Sequence, residues 1–527
     1  MDQTISLEDI VAQLRDILST PNLSKTDARA GDATVSTQPL LPKGTPSLAN
    51  IQSQVDLSSP LLPIGGTSLS KLAEHLISTI LPYLNLASLS PNYYGFVIGG
   101  ATPAALLGDF LASIYDQNVH VHLPAETVAT TLEVAALNLL VQLYRLPEEW
   151  SIGGSGPGGG TFTTGATASN VLGLALGREY VLREALQRKG LASDISCGEH
   201  GVAELMVQAG VQKIQVLSTL PHSSIAKAAS IVGIGRKNVI SLATGNDPLQ
   251  IDMARLESEG RRPDVLNILA ISAGEVNTGR FATDSGSTMT RLREICDNHK
   301  IWIHVDGAFG LFGRILHPSD KEFSEIVRGV EGIELADSIT GDCHKLLNVP
   351  YDSGVFFTRH KTLSENVFGN GNAAYLTSAM GDGDAIQSPL NIGIENSRRF
   401  RALPAYCTLI GYGREGYVDM LTRQIGLARR VTKWLLDNNK FEVLPVGGTE
   451  QEVLAKIYVV VLFRVKDEVR NKGFVKRVNA TGRIYLSGTV WDGKPAARIA
   501  VSNWRVDVQR DGDLIEDVLE QAAGQDS

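Results

Sequence analysis

Two charged residues of this sequence could perform covalent chemistry together: Lys345, in the pair His344-Lys345, and Asp306, near the middle of residues 301–310. A lysine amine can form a Schiff base with an aldehyde, and an aspartate can pair with a protonated heterocyclic nitrogen. Either residue alone would mean little, because most lysines are solvated surface charges. Together they are what a protein must supply to use pyridoxal 5'-phosphate (PLP), so the pair predicts a PLP site.

Two strands must position these residues. β-Branched residues alternate with others over residues 301–305, which predicts a strand that ends at Asp306. Residues 335–340 predict a second strand, and the sequence Gly-Asp-Cys-His then leads to Lys345. Ligands of open α/β sheets bind beyond the carboxyl ends of the strands, so we expect both side chains to face one crevice.

A glycine-rich segment upstream could bind an anion. Residues 158–170 (GGGTFTTGATASN) lead directly into a predicted helix over residues 171–186. Small residues let the backbone close on an anion, the N–H groups of the first helical turn point at it, and Thr167 and Ser169 add hydroxyl donors. The segment is not a Walker A loop, because no Gly-Lys-Ser/Thr follows. Taken alone, it is either a flexible loop or a phosphate cradle.

His222 follows a predicted strand over residues 214–218 and precedes a predicted helix over residues 224–232. A lone histidine at such a place is usually a capped turn or a satisfied polar group. At the carboxyl end of a strand in the same sheet, it could instead stack on a cofactor ring and exchange protons.

The order of predicted elements indicates an α/β architecture. Strands over 214–218, 239–242, 267–272 and 301–306 alternate with helices over 224–232 and 287–299, which predicts a largely parallel sheet with right-handed crossovers. We predict three regions: N-terminal helices and an extended Ser/Thr/Pro-rich arm (1–92), a large cofactor-binding domain (93–395) and a small C-terminal α+β domain (396–527). In the last region, a long helix to residue 437 precedes strands at 443–444, 456–463 and 497–501.

Composition excludes several classes of protein. The 527 residues are 43% hydrophobic and 20% charged with a net charge of −9, which favours a soluble globular protein over a nucleic-acid or membrane binder. The sequence contains no run of 18 apolar residues, so we expect no membrane span, and the first residues do not resemble a secretory signal. Four cysteines without CxxC spacing predict neither a disulfide framework nor a metal site, and they favour a cytoplasmic protein. We interpret Cys343 as a small packed residue rather than a nucleophile.

These segments resemble the PLP-dependent group II amino acid decarboxylases, which include the aromatic amino acid, histidine, glutamate and diaminobutyrate decarboxylases. The likeness covers roughly residues 93–504, and its most specific parts are residues 304–308 (HVDGA), 342–345 (DCHK) and 348–354 (NVPYDSG). It implies an aspartate-aminotransferase-like (type I) PLP fold, with a large, mostly parallel sheet domain and a smaller C-terminal domain. It also implies a homodimer with active sites at the interface.

The resemblance implies a role for each matching residue around the cofactor. Lys345 would hold PLP as a Schiff base, and Asp306 would pair with the pyridine nitrogen. Ala308 and His222 would pack on opposite faces of the ring. The phosphate would be contacted by Ala166, Thr167 and His344.

Two further residues are implied to act on an amino acid substrate. Tyr375 matches a tyrosine of a mobile loop that reaches the neighbouring subunit's site, and Arg498 matches an arginine that holds a substrate carboxylate. Read without the resemblance, Tyr375 is a solvent-facing aromatic and Arg498 an exposed charge at the end of a strand. In the family, loss of the tyrosine or of the stacking histidine is associated with oxidative by-products. Because both are present here, we expect decarboxylation of an L-amino acid to an amine and CO2.

Four other outcomes stay open from the sequence: an aminotransferase, an aldehyde-forming activity or a carbon–carbon lyase activity on the same fold, and a catalytically silent relative. One departure concerns Asp306. Many relatives carry two threonines in the preceding strand, where this chain has Glu275 and Val276. We expect Asn277 or Thr278 to support Asp306 instead.

Overall fold

The computed structural model describes residues 7–18, 39–42, 44–47, 65–191, 195–245, 247–369 and 386–524. Its strands, numbered in chain order, are β1 Tyr93–Tyr94, β2 Gly159–Thr163, β3 Lys213–Ser218, β4 Val239–Ser241, β5 Val265–Ser272, β6 Trp302–Asp306, β7 Ser338–Asp342, β8 Gly354–Thr358, β9 Phe441–Leu444, β10 Val460–Val465, β11 Tyr485–Trp491 and β12 Lys494–Ala500.

The α-helices that precede and surround the larger sheet are Leu7–Leu18, Leu69–His75, Pro103–Tyr115, Ala129–Leu143, Ala166–Gln187, Cys197–His200, Val202–Ala209, Ser223–Ile231, Met253–Gly260, Gly286–His299, Ser324–Gly329, Cys343–Leu346 and Lys361–Phe368. Those of the C-terminal region are Ala402–Asp437, Glu450–Lys456, Glu468–Asn471, Phe474–Ala480 and Val508–Gly524. Within the described ranges, no helix is long and apolar enough to cross a membrane.

The larger sheet has seven strands in the order β2-β8-β7-β6-β5-β3-β4. Strands β3 to β7 pair in parallel, whereas β8 is antiparallel to both β7 and β2. This arrangement confirms the predicted mostly parallel α/β fold. Since parallel strands end at the same edge, the residues that follow β3, β5, β6 and β7 meet at one side of the sheet.

The smaller sheet has five strands in the order β1-β11-β12-β10-β9. Its C-terminal strands pair antiparallel, and β1 joins from the distant N-terminal side by pairing parallel to β11. The ring of Tyr93 stacks on that of Tyr485 with centroids 4.4 Å apart, which holds this added strand in place. The helix Ala402–Asp437 contributes buried residues to the cores of both sheets and so connects them.

Several predicted boundaries were wrong by a few residues. The helix predicted from 171 begins at Ala166, because the small residues before it continue the helix rather than a loop. The strand predicted over 335–340 is β7, Ser338–Asp342, since Ile333–Leu335 form a 3-10 turn after Gly332 with its positive φ of 80°. The predicted strand over 456–463 shifts to Val460–Val465, because Glu450–Lys456 is a capped helix.

Candidate active site

The structure brings Asp306 and Lys345 to the ends of neighbouring strands. Asp306 is the last residue of β6, and Lys345 lies in the short helix that follows β7. The turn after β6 is joined to β7 by backbone hydrogen bonds, from Gly307 N–H to Thr340 O at 3.0 Å and from Asp342 N–H to Ala308 O at 3.1 Å. The two residues therefore keep a fixed relation that the packing of the sheet sets.

Lys345 presents a partly accessible amine. Its Nζ lies 2.9 Å from Asp342 Oδ2, and its side chain is 21% exposed. The ring of Phe309 lies beneath the ammonium, with its centroid 5.7 Å away. A Cβ added to Gly99 would overlap the carbonyl oxygen of Lys345, so this glycine lets the chain pass directly behind the lysine.

Asp306 is buried, with 7% of its surface exposed. Its Oδ2 accepts a hydrogen bond from Asn170 Nδ2 at 2.9 Å, and its Oδ1 accepts one from Ala308 N–H at 3.2 Å. A carboxylate in such a position is a fixed negative charge in a medium of low dielectric constant, where it acts strongly on a nearby cation.

The expectation that Asn277 or Thr278 supports Asp306 is wrong. Both residues bind the buried carboxylate of Glu275 instead. Glu275 Oε1 accepts from the backbone and side-chain N–H groups of Asn277, and Oε2 accepts from the backbone N–H and hydroxyl of Thr278. Glu275 has drawn these donors into a local cap, because a buried carboxylate must be satisfied where it stands.

The predicted phosphate donors converge on one anionic oxygen. Ala166 N–H, at the start of the helix Ala166–Gln187, donates to Asp342 Oδ1 at 2.6 Å, and His344 Nε2 lies 3.6 Å from the same oxygen. Thr167 follows in the first helical turn and is half-buried. A Cβ on Gly165 would lie 3.1 Å from the His344 ring, so the glycine allows the close approach. This place, where Ala166 N–H and His344 Nε2 approach one carboxylate oxygen, favours negative charge, and we call it the anion point.

His344 has a defined proton position. Ser353 N–H donates to His344 Nδ1 at 3.3 Å, so the neutral ring carries its proton on Nε2, toward the anion point. Burial lowers the pKa of His344, with the charge of Asp342 opposing this effect, and the neutral form is therefore favoured near neutral pH.

His222 caps the start of the helix Ser223–Ile231 and is linked to Asp306 by hydrogen bonds through Ser224 and Asn170. Burial lowers its pKa, and the negative charge of Asp306 acts against that shift. The positive charges of Lys345 and Arg498 lower its pKa as well. The net result of burial and these opposing charges is a lowered pKa, which favours the neutral imidazole.

Arg498 is buried on β12, with 4% of its surface exposed, so the alternative of an exposed charge is wrong. Its Nε donates to Val276 O at 2.5 Å and its Nη1 to Phe96 O at 2.7 Å. Its Nη2 is buried and has no hydrogen-bond partner among the described residues. Burial lowers the pKa of Arg498 to about 10, opposed by Glu275, so the guanidinium stays charged at neutral pH.

Two residues that contact the candidate site had no role assigned from the sequence. Asp342 binds both Lys345 and Ala166, and the visible signal was an acid three positions before the lysine. Asn170 binds Asp306 across 136 positions of sequence, and no local pattern announces that contact.

Cys343 is fully buried, and burial followed by the charge of Asp342 raises its pKa, which confirms it as a packed thiol rather than a nucleophile. Tyr375 lies outside the described residues.

A family model, the pyridoxal-dependent decarboxylase conserved domain, matches residues 54–466. The chain belongs to this family. The pyridoxal-dependent decarboxylase fold is found again in the crystal structure of Oryza sativa TDC with PLP and tryptamine, which superposes with a TM-score of 0.79 at 21% identity and covers 99% of both chains. PLP is accordingly the cofactor of this decarboxylase-family chain.

Curated relatives of this pyridoxal-dependent decarboxylase family member differ in their products. The aromatic-L-amino-acid decarboxylase of Catharanthus roseus is 24% identical over 511 residues, which cover 93% of this chain and 91% of the relative. The phenylacetaldehyde synthase of Arabidopsis thaliana is also 24% identical, over 78% of each chain.

The residues of this chain fit PLP. An amine, a buried carboxylate and a backbone N–H at a helix start lie at the ends of β6 and β7 and on the adjoining helix, and they would suit the aldehyde, the pyridine nitrogen and the phosphate of the cofactor. Gly354, the first residue of β8, lets this strand pack directly against the turn before the helix Ala166–Gln187, since a Cβ on Gly354 would lie 2.5 Å from Gly165 Cα.

Proposed function

We propose that this protein decarboxylates an L-amino acid to the corresponding amine and CO2, with Lys345 holding PLP as a Schiff base. The observation that carries the proposal is the placement of Asp306 at the end of β6 and of Lys345 just after the end of the hydrogen-bonded neighbour β7. The site offers a covalent anchor and a fixed negative charge on one rigid edge.

PLP, when bound, supplies an electron sink for the negative charge left on Cα by the loss of CO2. The protein's part is to keep that sink effective. Asp306 would hold a proton on the pyridine nitrogen through a charge-assisted hydrogen bond in a dry crevice. Ala308, whose N–H binds Asp306, and His222 would pack on opposite faces of the ring.

The anion point would hold the phosphate of the cofactor. Ala166 N–H and the Nε2–H of His344 already converge on an anionic oxygen there, and Thr167 would add a hydroxyl from the first helical turn. The carboxylate of Asp342 accepts the N–H of Ala166 here, so binding of phosphate at this point requires the carboxylate to release that donor. Its second contact, with Lys345 Nζ, indicates how Asp342 links the two ends of the site.

The direct test is product analysis with the purified protein and PLP. The twenty common amino acids, diaminobutyrate and 3,4-dihydroxyphenylalanine are supplied in turn, and CO2, amine, aldehyde and keto acid are measured. Amine and CO2 in equal amounts from one amino acid support the proposal. A protein that binds PLP but forms only keto acid or aldehyde, or that binds no PLP, contradicts it.

Arg498 is proposed to hold the substrate's carboxylate. Its buried, charged guanidinium has one Nη2 group without a partner among the described residues, and a buried cationic donor without an acceptor favours an anionic ligand. Its other two nitrogens are fixed by backbone oxygens, which leaves Nη2 as the group available to substrate.

We expect Arg498→Gln to raise KM about 10- to 100-fold, the loss of one charge-assisted hydrogen bond. Steady-state kinetics with the accepted amino acid measure this effect. The matched control is Arg464→Gln, because Arg464 is also buried, on the neighbouring β10, but pairs with Glu442. Similar KM changes in both variants would mean that Arg498 only supports the fold.

A second candidate outcome, aldehyde formation, is favoured by the phenylacetaldehyde synthase among the relatives. Which product forms depends on proton delivery to Cα, and we propose Tyr375 as that donor, with His222 retained beside the ring. We expect Tyr375→Phe, assayed in air, to divert product from amine toward aldehyde, with dioxygen as the two-electron oxidant and ammonia released beside the CO2, as measured by chromatography of amine and aldehyde. Tyr83→Phe is the control, since Tyr83 lies far from the site residues in sequence and is 40% exposed. An unchanged amine yield in Tyr375→Phe would remove Tyr375 from the mechanism.

We also propose that the active form is a cytoplasmic homodimer. The helix Pro103–Tyr115 leaves a row of large apolar side chains exposed, and Ile410 of the adjoining helix extends it. The exposed members of this row are Leu106, Leu107, Phe110, Ile114 and Tyr115. Contiguous apolar surface of this kind supports a protein–protein contact.

A further inference from the structure

We propose that Asn170 is a positioning residue that ties Asp306 to His222, and that His304, Ser338 and Trp302 fix its orientation from behind. The inference rests on the proposed role of Asp306 at the pyridine nitrogen. It assigns a positioning role to a buried hydrogen-bonded network to which the family likeness assigned no role.

The side chain of Asn170 is fully buried and uses both ends of its amide. Its Nδ2 donates to Asp306 Oδ2 at 2.9 Å and to Ser224 Oγ at 3.0 Å. Its Oδ1 lies 2.9 Å from His304 Nε2. The amide therefore joins its own helix, Ala166–Gln187, to two other elements: β6 through two residues and the helix Ser223–Ile231 through Ser224.

The carboxylate of Asp306 sets the direction of these hydrogen bonds. An ionised carboxylate only accepts, so the Nδ2 end of Asn170 must face Asp306. Its Oδ1 then faces His304, whose Nε2 must carry the proton. Burial lowers the pKa of His304 to about 4, with Asp306 opposing the shift, so the ring is neutral and has one proton to place.

The hydrogen bonds of Trp302 and Ser338, on the other side of His304, agree with this direction. Trp302 Nε1 only donates, and it donates to Ser338 Oγ at 3.1 Å. The hydroxyl proton of Ser338 is then free for His304 Nδ1, 2.8 Å away, which must accept if Nε2 holds the ring proton. His304 Nε2 also lies 3.4 Å from Thr340 Oγ1, a second acceptor for the same proton.

The second N–H of Asn170 Nδ2 links this asparagine to His222 through Ser224. Ser224 Oγ accepts it and lies 2.8 Å from His222 Nδ1, and the backbone N–H of Ser224 donates to that same nitrogen at 3.2 Å. Because a backbone N–H only donates, His222 Nδ1 is an acceptor and the neutral ring carries its proton on Nε2. One amide thus connects the carboxylate of Asp306 with the proton position of His222.

The helix that bears Asn170 is shaped to admit this chain. Gly173 lies one turn further on the same face, and a Cβ there would overlap the His304 ring. Gly177 lies one turn beyond, and a Cβ there would approach Trp302 Cδ1 to 2.9 Å. Glycine is unfavourable inside a helix, so two of them facing these rings mark the space that the chain of hydrogen bonds needs.

A buried network can also serve stability alone, and the test must separate the two roles. The matched control is Asn267→Ala. Asn267 is a buried asparagine on β5 of the same sheet, where it binds Gln215 Nε2 through Oδ1 and Glu259 O through Nδ2. Its loss leaves unpaired polar groups just as the loss of Asn170 does, but none of them belongs to the site.

The loaded enzyme gives the first readout. We expect Asn170→Ala to lower kcat about 10- to 100-fold with KM within about twofold, and to change the visible circular dichroism of bound PLP, which reports how the ring is held. Ser338→Ala, a milder change, should alter the same signals in the same direction and covers the case in which Asn170→Ala does not fold. His304→Gln, which keeps a hydrogen-bond donor and an acceptor at this position, should retain most of the kcat of the unsubstituted protein. If Asn170→Ala and Ser338→Ala match Asn267→Ala in kcat and dichroism, Asn170 is only a packing residue.

The cofactor-free protein gives the second readout. NMR of selectively labelled histidines reports which ring nitrogen carries the proton. We expect His304 and His222 to be neutral with the proton on Nε2, and an Nδ1–H form of either ring would overturn the assignment. Neither the dichroism nor the NMR needs turnover. A wild-type protein that binds PLP but releases no CO2 therefore refutes the proposed function and still leaves Asn170 under test.

Discussion

Lys345→Ala is expected to reduce amino acid turnover to background while the protein stays folded. The lysine amine is the only group of the site placed to anchor an aldehyde covalently among the described residues, and alanine removes it entirely. Asp342 loses its ion pair but keeps the N–H of Ala166, which limits the cost to stability. Release of CO2 measures turnover, and circular dichroism with thermal melting measures the fold.

A lysine in a comparable ion pair provides the control for this variant. Lys433 pairs with Glu450 at 2.8 Å on the surface of the C-terminal region, so Lys433→Ala removes the same side chain without touching the crevice. It should retain turnover within about twofold, as surface substitutions usually do. Full turnover in folded Lys345→Ala would refute the assignment of the anchor.

Asp306→Asn is expected to lower kcat by roughly 10³-fold or more, which is about 4 kcal/mol of transition-state stabilisation. The amide has the shape of the carboxylate but lacks its charge, so it cannot keep the pyridine nitrogen protonated. The variant should still bind PLP, because Lys345 is unchanged. Steady-state kinetics and the absorbance of the bound cofactor measure the two effects separately.

A second buried carboxylate tests whether the loss of charge alone explains the result. Asp337 lies just before β7, at the opposite end from Lys345, and pairs with Arg293 at 2.9 Å. We expect Asp337→Asn to lower the melting temperature and leave kcat nearly unchanged. An Asp306→Asn enzyme with wild-type kcat would show that the charge next to the ring is not needed.

The sequence predicted the elements that carry local patterns. Alternating β-branched residues marked β6, and its position relative to Lys345 followed from the rule that parallel strands share an edge. The neutral, packed character of Cys343 was also accessible, because neighbours in sequence seldom form a catalytic pair. These inferences depend on residues that are close along the chain, and the structure confirms them.

Contacts between distant segments were beyond such reasoning. Asn170 and Asp306 are 136 positions apart, and only the packing of the helix Ala166–Gln187 on β6 brings them together. The addition of β1 to the smaller sheet depends on the stacking of Tyr93 on Tyr485, which no periodicity encodes. The expected support of Asp306 by Asn277 or Thr278 was wrong for a different, local reason, because the carboxylate of Glu275, two and three positions earlier, accepts those hydrogen bonds.

The identity of the lysine that carries the cofactor tests the central claim most directly. Borohydride reduction of the protein loaded with PLP makes the link permanent, and proteolysis with mass spectrometry then locates the modified residue. Stoichiometric modification of Lys345, with none in Lys345→Ala, is the result we predict. Modification of another lysine in the native enzyme, or no modification at all, would contradict the account.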